Sequence, residues 1–403
     1  MKNADQHFVP QFYLRRFSSD AASVGTFIPP NRFIERASIK GQAQRRYMYG
    51  RGPELEKLLG QLEGQWSALL RFIDEQETLP PVMSNGHRDL LFFIALQRGR
   101  TTSAATDHEE ALSLMEDFKQ RAYAEIGKTP PRQPEPSHDQ HVLRSLQIHL
   151  SAWPYLLDLQ PLVLVNDSAE AFIASDAPVS FHNDALFDLK HGGATAYSSP
   201  GLVVFLPISP ARAVLLFDRN MYSARLRANQ LVIHPSLSDV SSLNALTAAN
   251  ATRVLYYSPG QPHEEILAAY TLAKRVRALQ RNVTFETIVK ERGGQRRVLA
   301  LSPSCAQLSM KLSFLRALPK RVKKMWGILA RRPFPRHPEL TCSLEAYEEA
   351  NGDKSDSKLI LALRENYPDL HSRLSEGGRA FLGPVALSRI PGIRKDILKA
   401  FAG

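Results

Sequence analysis

The sequence predicts an α+β protein: an amino-terminal helical layer packed on a mostly antiparallel central sheet, with a small basic helical carboxy-terminal appendage. Three observations predict it. Apolar residues recur at three- and four-residue steps through much of 53–126, which is helical spacing. Short apolar runs then follow one another as neighbouring strands do: Leu162–Val165, Phe172–Ala174, Leu202–Leu206 and Ala213–Phe217. Basic charge gathers at the end: residues 1–300 hold 33 Lys+Arg against 30 Asp+Glu, whereas residues 301–403 hold 18 against 10.

A length of 403 residues predicts two or three domains at roughly 100–200 residues each. The linker Thr129–Pro136, with four prolines in eight residues, and the charge shift near 300 divide the chain into 1–128, 129–300 and 301–403. The first two form one composite domain in this reading, and the third is a separable basic helical tail. Met1–Phe8 is polar, so no export signal is expected. The longest apolar run, Leu90–Leu96, falls far short of the roughly 20 residues that a membrane span needs. Cys305 and Cys342 form no CxxC pair, and a reducing, cytoplasmic setting is expected.

In chain order, Val24–Ile28 and Phe33–Ile39 flank Pro29-Pro30-Asn31 and predict a hairpin, because proline gives no backbone N–H to a ladder. Leu55, Leu58, Leu59, Leu62, Trp66, Leu69, Leu70 and Ile73 mark one amphipathic helix, ended by Pro80-Pro81. A helix from Ser84 or Asn85 carries Leu90–Leu96 and is buried; a third runs from about Ala105 to Ile126. Ser137, with Gln140 completing a capping box, opens the next. The strands follow, with Asn166-Asp-Ser168 as a turn and 182–201 as a long rim loop. Leu231–His234, a helix over 239–249, a strand Val254–Tyr257 and a helix from about Glu264 to Gln280 come next. Beyond Pro303, Lys311–Arg336 contains nine basic residues and no acidic one, and Leu315, Leu318, Val322, Met325, Trp326 and Leu329 fall on one helical face.

The opening run His7-Phe-Val-Pro-Gln-Phe-Tyr-Leu-Arg-Arg-Phe17 is the most distinctive in the chain. Further short motifs follow it in order: Tyr47-Met-Tyr49, Leu62-Glu-Gly64, Gln97 with Arg100-Thr101, Ser175-Asp176-Ala-Pro178, Phe205-Leu-Pro207, and Asn244 in a helix. Together, over about residues 5–290, they resemble the bacterial family called domain of unknown function 4238. The resemblance narrows the fold and implies no activity.

Candidate sites follow from residue chemistry. Asp176 ends an apolar run beside Ser175, at what would be a sheet rim, and suits a general base, a metal ligand or a turn before Pro178. His7 is the natural acid–base group near neutral pH. Arg100, three residues after Gln97 on one helical face, can clamp a phosphate or carboxylate, or pair with Asp176. His7, Arg100 and Asp176 are the catalytic candidates, with Gln97, Ser175 and Asn244 supporting them. His138 and His141 share a helical face, but without a third ligand they are a weak metal pair. There is no Walker loop, GxGxxG, HExxH or GxSxG, so no nucleotide cofactor is expected; a divalent metal is compatible with the candidates.

The basic helix supplies the strongest partner signal. Lys320, Arg321, Lys323, Lys324, Arg331 and Arg332 are the candidate nucleic-acid contacts, and an anionic membrane surface is the lesser alternative. Ile390-Pro-Gly-Ile393 echoes half of a helix-hairpin-helix element, with Arg394 where the second glycine would stand. The leading expectation is a cytoplasmic nucleic-acid-associated protein with hydrolytic, nuclease-like chemistry. Its rivals are a non-enzymatic binding or regulatory module and a peripheral membrane-associated protein.

Overall fold

A computed structural model describes residues 5–51, 54–82, 84–131, 136–186, 195–226, 231–276, 282–291, 294–303, 308–329 and 336. Arg331, Arg332, both cysteines and the 390–393 echo lie outside them. The chain opens with β1 (Asp5–His7), α1 (Gln11–Arg15), β2 (Ser23–Ile28), β3 (Arg32–Ser38) and β4 (Gln44–Arg46). Four helices follow: α2 (Glu54–Gln76), α3 (Asn85–Gly99), α4 (Thr102–Glu125) and α5 (His138–Ala152). The strands β5 (Gln160–Val165), β6 (Ala174–Ser175), β7 (Ser180–His182), β8 (Val203–Pro207), β9 (Arg212–Phe217), β10 (Tyr222–Ala224) and β11 (Val232–Ile233) come next. The described chain closes with α6 (Leu237–Asn250), β12 (Leu255–Tyr257), α7 (His263–Val276), β13 (Asn282–Glu291), β14 (Gly294–Pro303), β15 (Leu315–Ala317) and α8 (Pro319–Leu329). This is the α+β architecture expected, and its sheets are predominantly antiparallel.

The helix starts are chemical. Ser84 Oγ accepts from His87 N at 3.2 Å, and Thr101 Oγ1 accepts from Ala104 N at 3.2 Å. Ser137 N donates to Gln140 Oε1 at 2.8 Å, one half of the expected capping box. None of the described helices is long and apolar enough to cross a membrane.

The main sheet runs β11-β5-β9-β8-β7, with only β11 parallel to its neighbour β5. Its strands read as unbroken apolar runs because both faces are covered. Val163, Val165, Val204, Leu206, Val214 and Leu216 join one core with α2, α3 and α5. The alternate residues Leu162, Leu164, Val203, Phe205, Leu215 and Phe217 join a second core with α6. The expected runs at 162–165, 202–206 and 213–217 are therefore neighbours.

The run at Phe172–Ala174 is not among them. Only Ala174–Ser175 is a strand, and it belongs to a second, antiparallel sheet ordered β3-β2-β12-β6. An apolar run carries no label for the sheet it joins. Asp176 N, donating to the Val254 carbonyl, keeps this segment on β12.

The carboxy-terminal region also differs. Leu308, Met310, Leu312, Phe314 and Leu315 are buried in the second core, beside α6 and the main sheet. Asp239, which caps α6 with Ser236, accepts from Ser313 N and Ser313 Oγ at 2.6 Å each. Leu315 lies in β15, paired with β10, and the helix starts only at Pro319. The shift in charge near 300 is thus no packing boundary for residues 308–318.

Candidate functional site

α1 is pinned from three sides. Tyr13 Oη donates to the Pro207 carbonyl at 2.6 Å and Arg16 Nε to the Ile208 carbonyl at 2.6 Å. Arg16 Nη2 also pairs with Asp74 of α2 at 2.5 Å. The opening run is thereby held between the end of β8 and the helical layer, and the residues ahead of it are held by α3. Gln97 Nε2 donates to the Phe8 carbonyl at 3.0 Å, and Arg100 Nε donates to the same oxygen at 3.1 Å. Arg100 Nη2 reaches the His7 carbonyl at 2.9 Å and Glu63 Oε1 at 3.0 Å. Tyr49 Oη donates to the His7 carbonyl at 3.0 Å. Gln97 and Arg100 share a helical face, as their spacing requires. The acidic partner of Arg100 is Glu63, where the sequence suggested Asp176.

These contacts form the wall of a cleft of about 460 Å³ between α1, α2 and the end of α3. His7, Gln11 and Arg15 come from β1 and α1. Glu56, Gly60, Glu63, Gly64 and Ser67 come from α2, at helical spacing beside the apolar stripe of Leu62, Trp66, Leu70 and Ile73 that faces the core. A Cβ on Gly60 or Gly64 would meet nothing within 4 Å. Each glycine is about 0.5–1 kcal/mol worse than alanine inside a helix, and no packing of the described chain requires either.

His7 is half-buried in this cleft. Burial is the leading influence on its pKa and takes it below the usual 6.5, despite the opposing Lys40 carbonyl and Glu63 charge. The imidazole is therefore neutral at neutral pH. Its Nε2 lies 3.2 Å from the Lys40 carbonyl and 3.3 Å from Gln11 Nε2. A protonated Nε2 donates to the carbonyl and a bare one accepts from the amide, so either tautomer is accommodated. The two guanidiniums differ. Arg100 is 1% exposed and balanced by Glu63. Arg15 is exposed and donates to the neutral Gln11 Oε1 at 3.0 Å. Tyr49 is held as a phenol by burial, which pushes it up to about 12.

Asp176 is not part of this wall. Its Oδ1 accepts from Thr252 N at 2.7 Å and its Oδ2 from Arg253 N at 2.8 Å. Ser175 Oγ accepts from Ala177 N at 3.2 Å. Asn244 Oδ1 accepts from Ile173 N at 3.1 Å, and its Nδ2 donates to Glu170 Oε1 at 2.7 Å and the Ala171 carbonyl at 2.8 Å. Ser175, Asp176 and Asn244 thus fasten residues 170–177 to α6 and the start of β12. The structure brings His7, Gln97 and Arg100 together and leaves these three in a second cluster.

His141 Nδ1 lies 3.1 Å from His108 Nδ1 of α4, and among the described residues no group of three or more His, Cys, Asp or Glu side chains could hold a metal ion. On α8, Lys320, Arg321, Lys323 and Lys324 are all exposed, while Val322 packs against the second core. Glu63, Arg15 and Gln11 line the cleft and lie in the motifs quoted above, but sequence reasoning did not mark them as site candidates. A polar and glycine stripe at 56, 60, 63, 64 and 67 was the available signal.

No curated protein and no solved structure matches the chain. Residues 5–261 match the family described as protein of unknown function (DUF4238), ending short of the 290 expected, and the match covers more than half of the 403 residues. The stretches that carry the likeness form the two clusters just described, and the chain belongs to the DUF4238 family.

Proposed function

We propose that this protein is a cytoplasmic, nucleic-acid-associated effector that hydrolyses a phosphate-bearing substrate in the cleft over Arg100. The observation that supports it most is the meeting of an imidazole, a carboxylate and an available guanidinium in one wall: His7, Glu63 and Arg15. Arg15, with a neutral amide for a partner, is the cation that receives the phosphate. Neutral His7 accepts a proton from the attacking water, which Glu63 orients; as the water oxygen bonds to phosphorus, the P–O bond to the leaving group breaks and the leaving oxygen takes a proton from solvent. Arg100 acts as a positioning residue by holding the carbonyls of His7 and Phe8. The test is a hydrolysis screen of the purified chain on RNA, single- and double-stranded DNA and nucleotides, with and without chelator, beside Arg15→Gln. Activity weakened at least tenfold by that substitution supports the reading. A folded chain inactive on every substrate favours the non-enzymatic binding module.

Nucleic-acid association has its own support in the exposed Lys320, Arg321, Lys323 and Lys324. Replacing all four with Gln should weaken binding and reduce the slope of log K against log[salt] by about 3–4, since each phosphate contact contributes roughly 0.9. An unchanged slope removes this support. Preferential binding to anionic vesicles moves the helix to the membrane reading.

A further inference from the structure

Gly60 and Gly64 sit four apart on α2, one above the other on the face that lines the cleft. Nothing in the described chain explains them by packing, since a Cβ on either meets no atom within 4 Å. In the same wall Arg100, 1% exposed, has an Nη1 without a hydrogen-bond partner among the described residues. A helix face stripped of side chains and a buried donor left over both belong to a site shaped for a ligand. The volume of about 460 Å³ lies within the roughly 300–1,000 Å³ of small-molecule sites.

The chemistry around the glycines identifies the ligand class. A backbone surface without Cβ atoms lets a planar ring lie flat against the helix, with Phe12 across the cleft as an apolar neighbour. Glu56, four residues before Gly60 on the same helical face, offers a carboxylate to ring-borne N–H donors. Arg15 stands at the α1 side with charge for a phosphate. We propose that Gly60 and Gly64 are the seat of a nucleotide whose base carries an exocyclic amine, the base on the glycine face and the phosphate towards Arg15. This rests on the cleft being the functional site and adds the identity of what it selects.

The experiment is calorimetric titration of the full chain with AMP, UMP and inorganic phosphate, for wild type, Gly60→Ala, Gly64→Ala and Arg15→Gln. Wild type should bind AMP at least tenfold more tightly than phosphate, and more tightly than UMP. Each alanine should weaken AMP at least tenfold, leave phosphate within twofold, and keep or raise the melting temperature because alanine favours helix. Alanine variants that bind AMP as wild type does, or a wild type that binds AMP no better than phosphate or UMP, overturn the seat. A melting temperature lowered by either alanine also overturns it, since packing would then explain the glycine. Phosphate binding that is lost in Arg15→Gln, in any of those cases, leaves the cleft standing as an anion site. A wild type that binds neither AMP nor phosphate overturns the seat and the phosphate reading together.

Discussion

Arg100 Nη2 lies 2.9 Å from the carbonyl oxygen of His7, so a buried cation at the end of α3 sets the position of the candidate acid–base group. The same guanidinium holds Phe8 and pairs with Glu63. Arg100→Met removes all of these contacts, leaving Glu63 without its cation and the Phe8 and His7 carbonyls with only Gln97 and Tyr49 as donors. The expected loss is about 3–5 kcal/mol in chemical denaturation, the scale for breaking a buried ion pair. Amide exchange in residues 8–17 should accelerate most. A loss under 1 kcal/mol would mean that the opening run is held by α1 alone.

Asp176→Asn separates the two clusters. The amide side chain keeps one acceptor oxygen but turns a donor towards the N–H of Thr252 or Arg253. Stability should fall by about 2 kcal/mol, as for a lost charge-assisted hydrogen bond. Any activity in the cleft should remain within twofold of wild type. An Asp176→Asn chain that melts normally and has lost its chemistry would restore this carboxylate to the catalytic group.

Phe314 tests where the body ends. It is 5% exposed, in the core that β8, β9 and α6 share. Phe314→Ala should cost about 3–5 kcal/mol. A chain ending at Pro303 should lose its cooperative melting transition. Truncation without effect on melting would make residues 301–403 a separable appendage after all.

Stability should fall on acidification below neutrality. Burial lowers His87 to about 4 and His149 to about 3, and lowers His7 and His108 below 6.5. The unfolded chain takes up these protons near pH 6.5 while the folded chain refuses them. The contribution is therefore complete above that pH and is lost as pH drops towards the folded values. His87 alone accounts for something on the order of 3 kcal/mol. Melting temperatures recorded from pH 7.5 to 4.5 should decline steadily, and a flat or rising profile would contradict these assignments.

Much of this fold was legible because local periodicity and tertiary role coincide. The apolar stripe of α2 and the prolines of the β2–β3 turn each announce their element. Sheet membership was not legible: the apolar run before Asp176 fits either sheet, and contacts with Val254 and Asn244, far along the chain, decide it. Residues 308–314 alternate buried and exposed side chains, a strand-like rhythm overshadowed by the basic charge around it. For the cleft, His7, Gln97 and Arg100 stood out by type and by the motifs they occupy. Glu63, Arg15 and Gln11 occupy the same motifs without being marked as candidates, and for Glu63 the reason is that a polar stripe on a helix reads as a solvated face until another element closes over it.

The most direct test is the hydrolysis rate of His7→Gln against wild type, on the substrate that the screen identifies and across pH 5–9. Glutamine can keep a contact with Lys40 or Gln11 but cannot exchange a proton. The rate should fall by about 10²–10⁴-fold with little change in melting temperature, and the acidic limb of the pH profile should disappear. A His7→Gln chain that hydrolyses as fast as wild type, with the same pH profile, would contradict the cleft as the place of reaction.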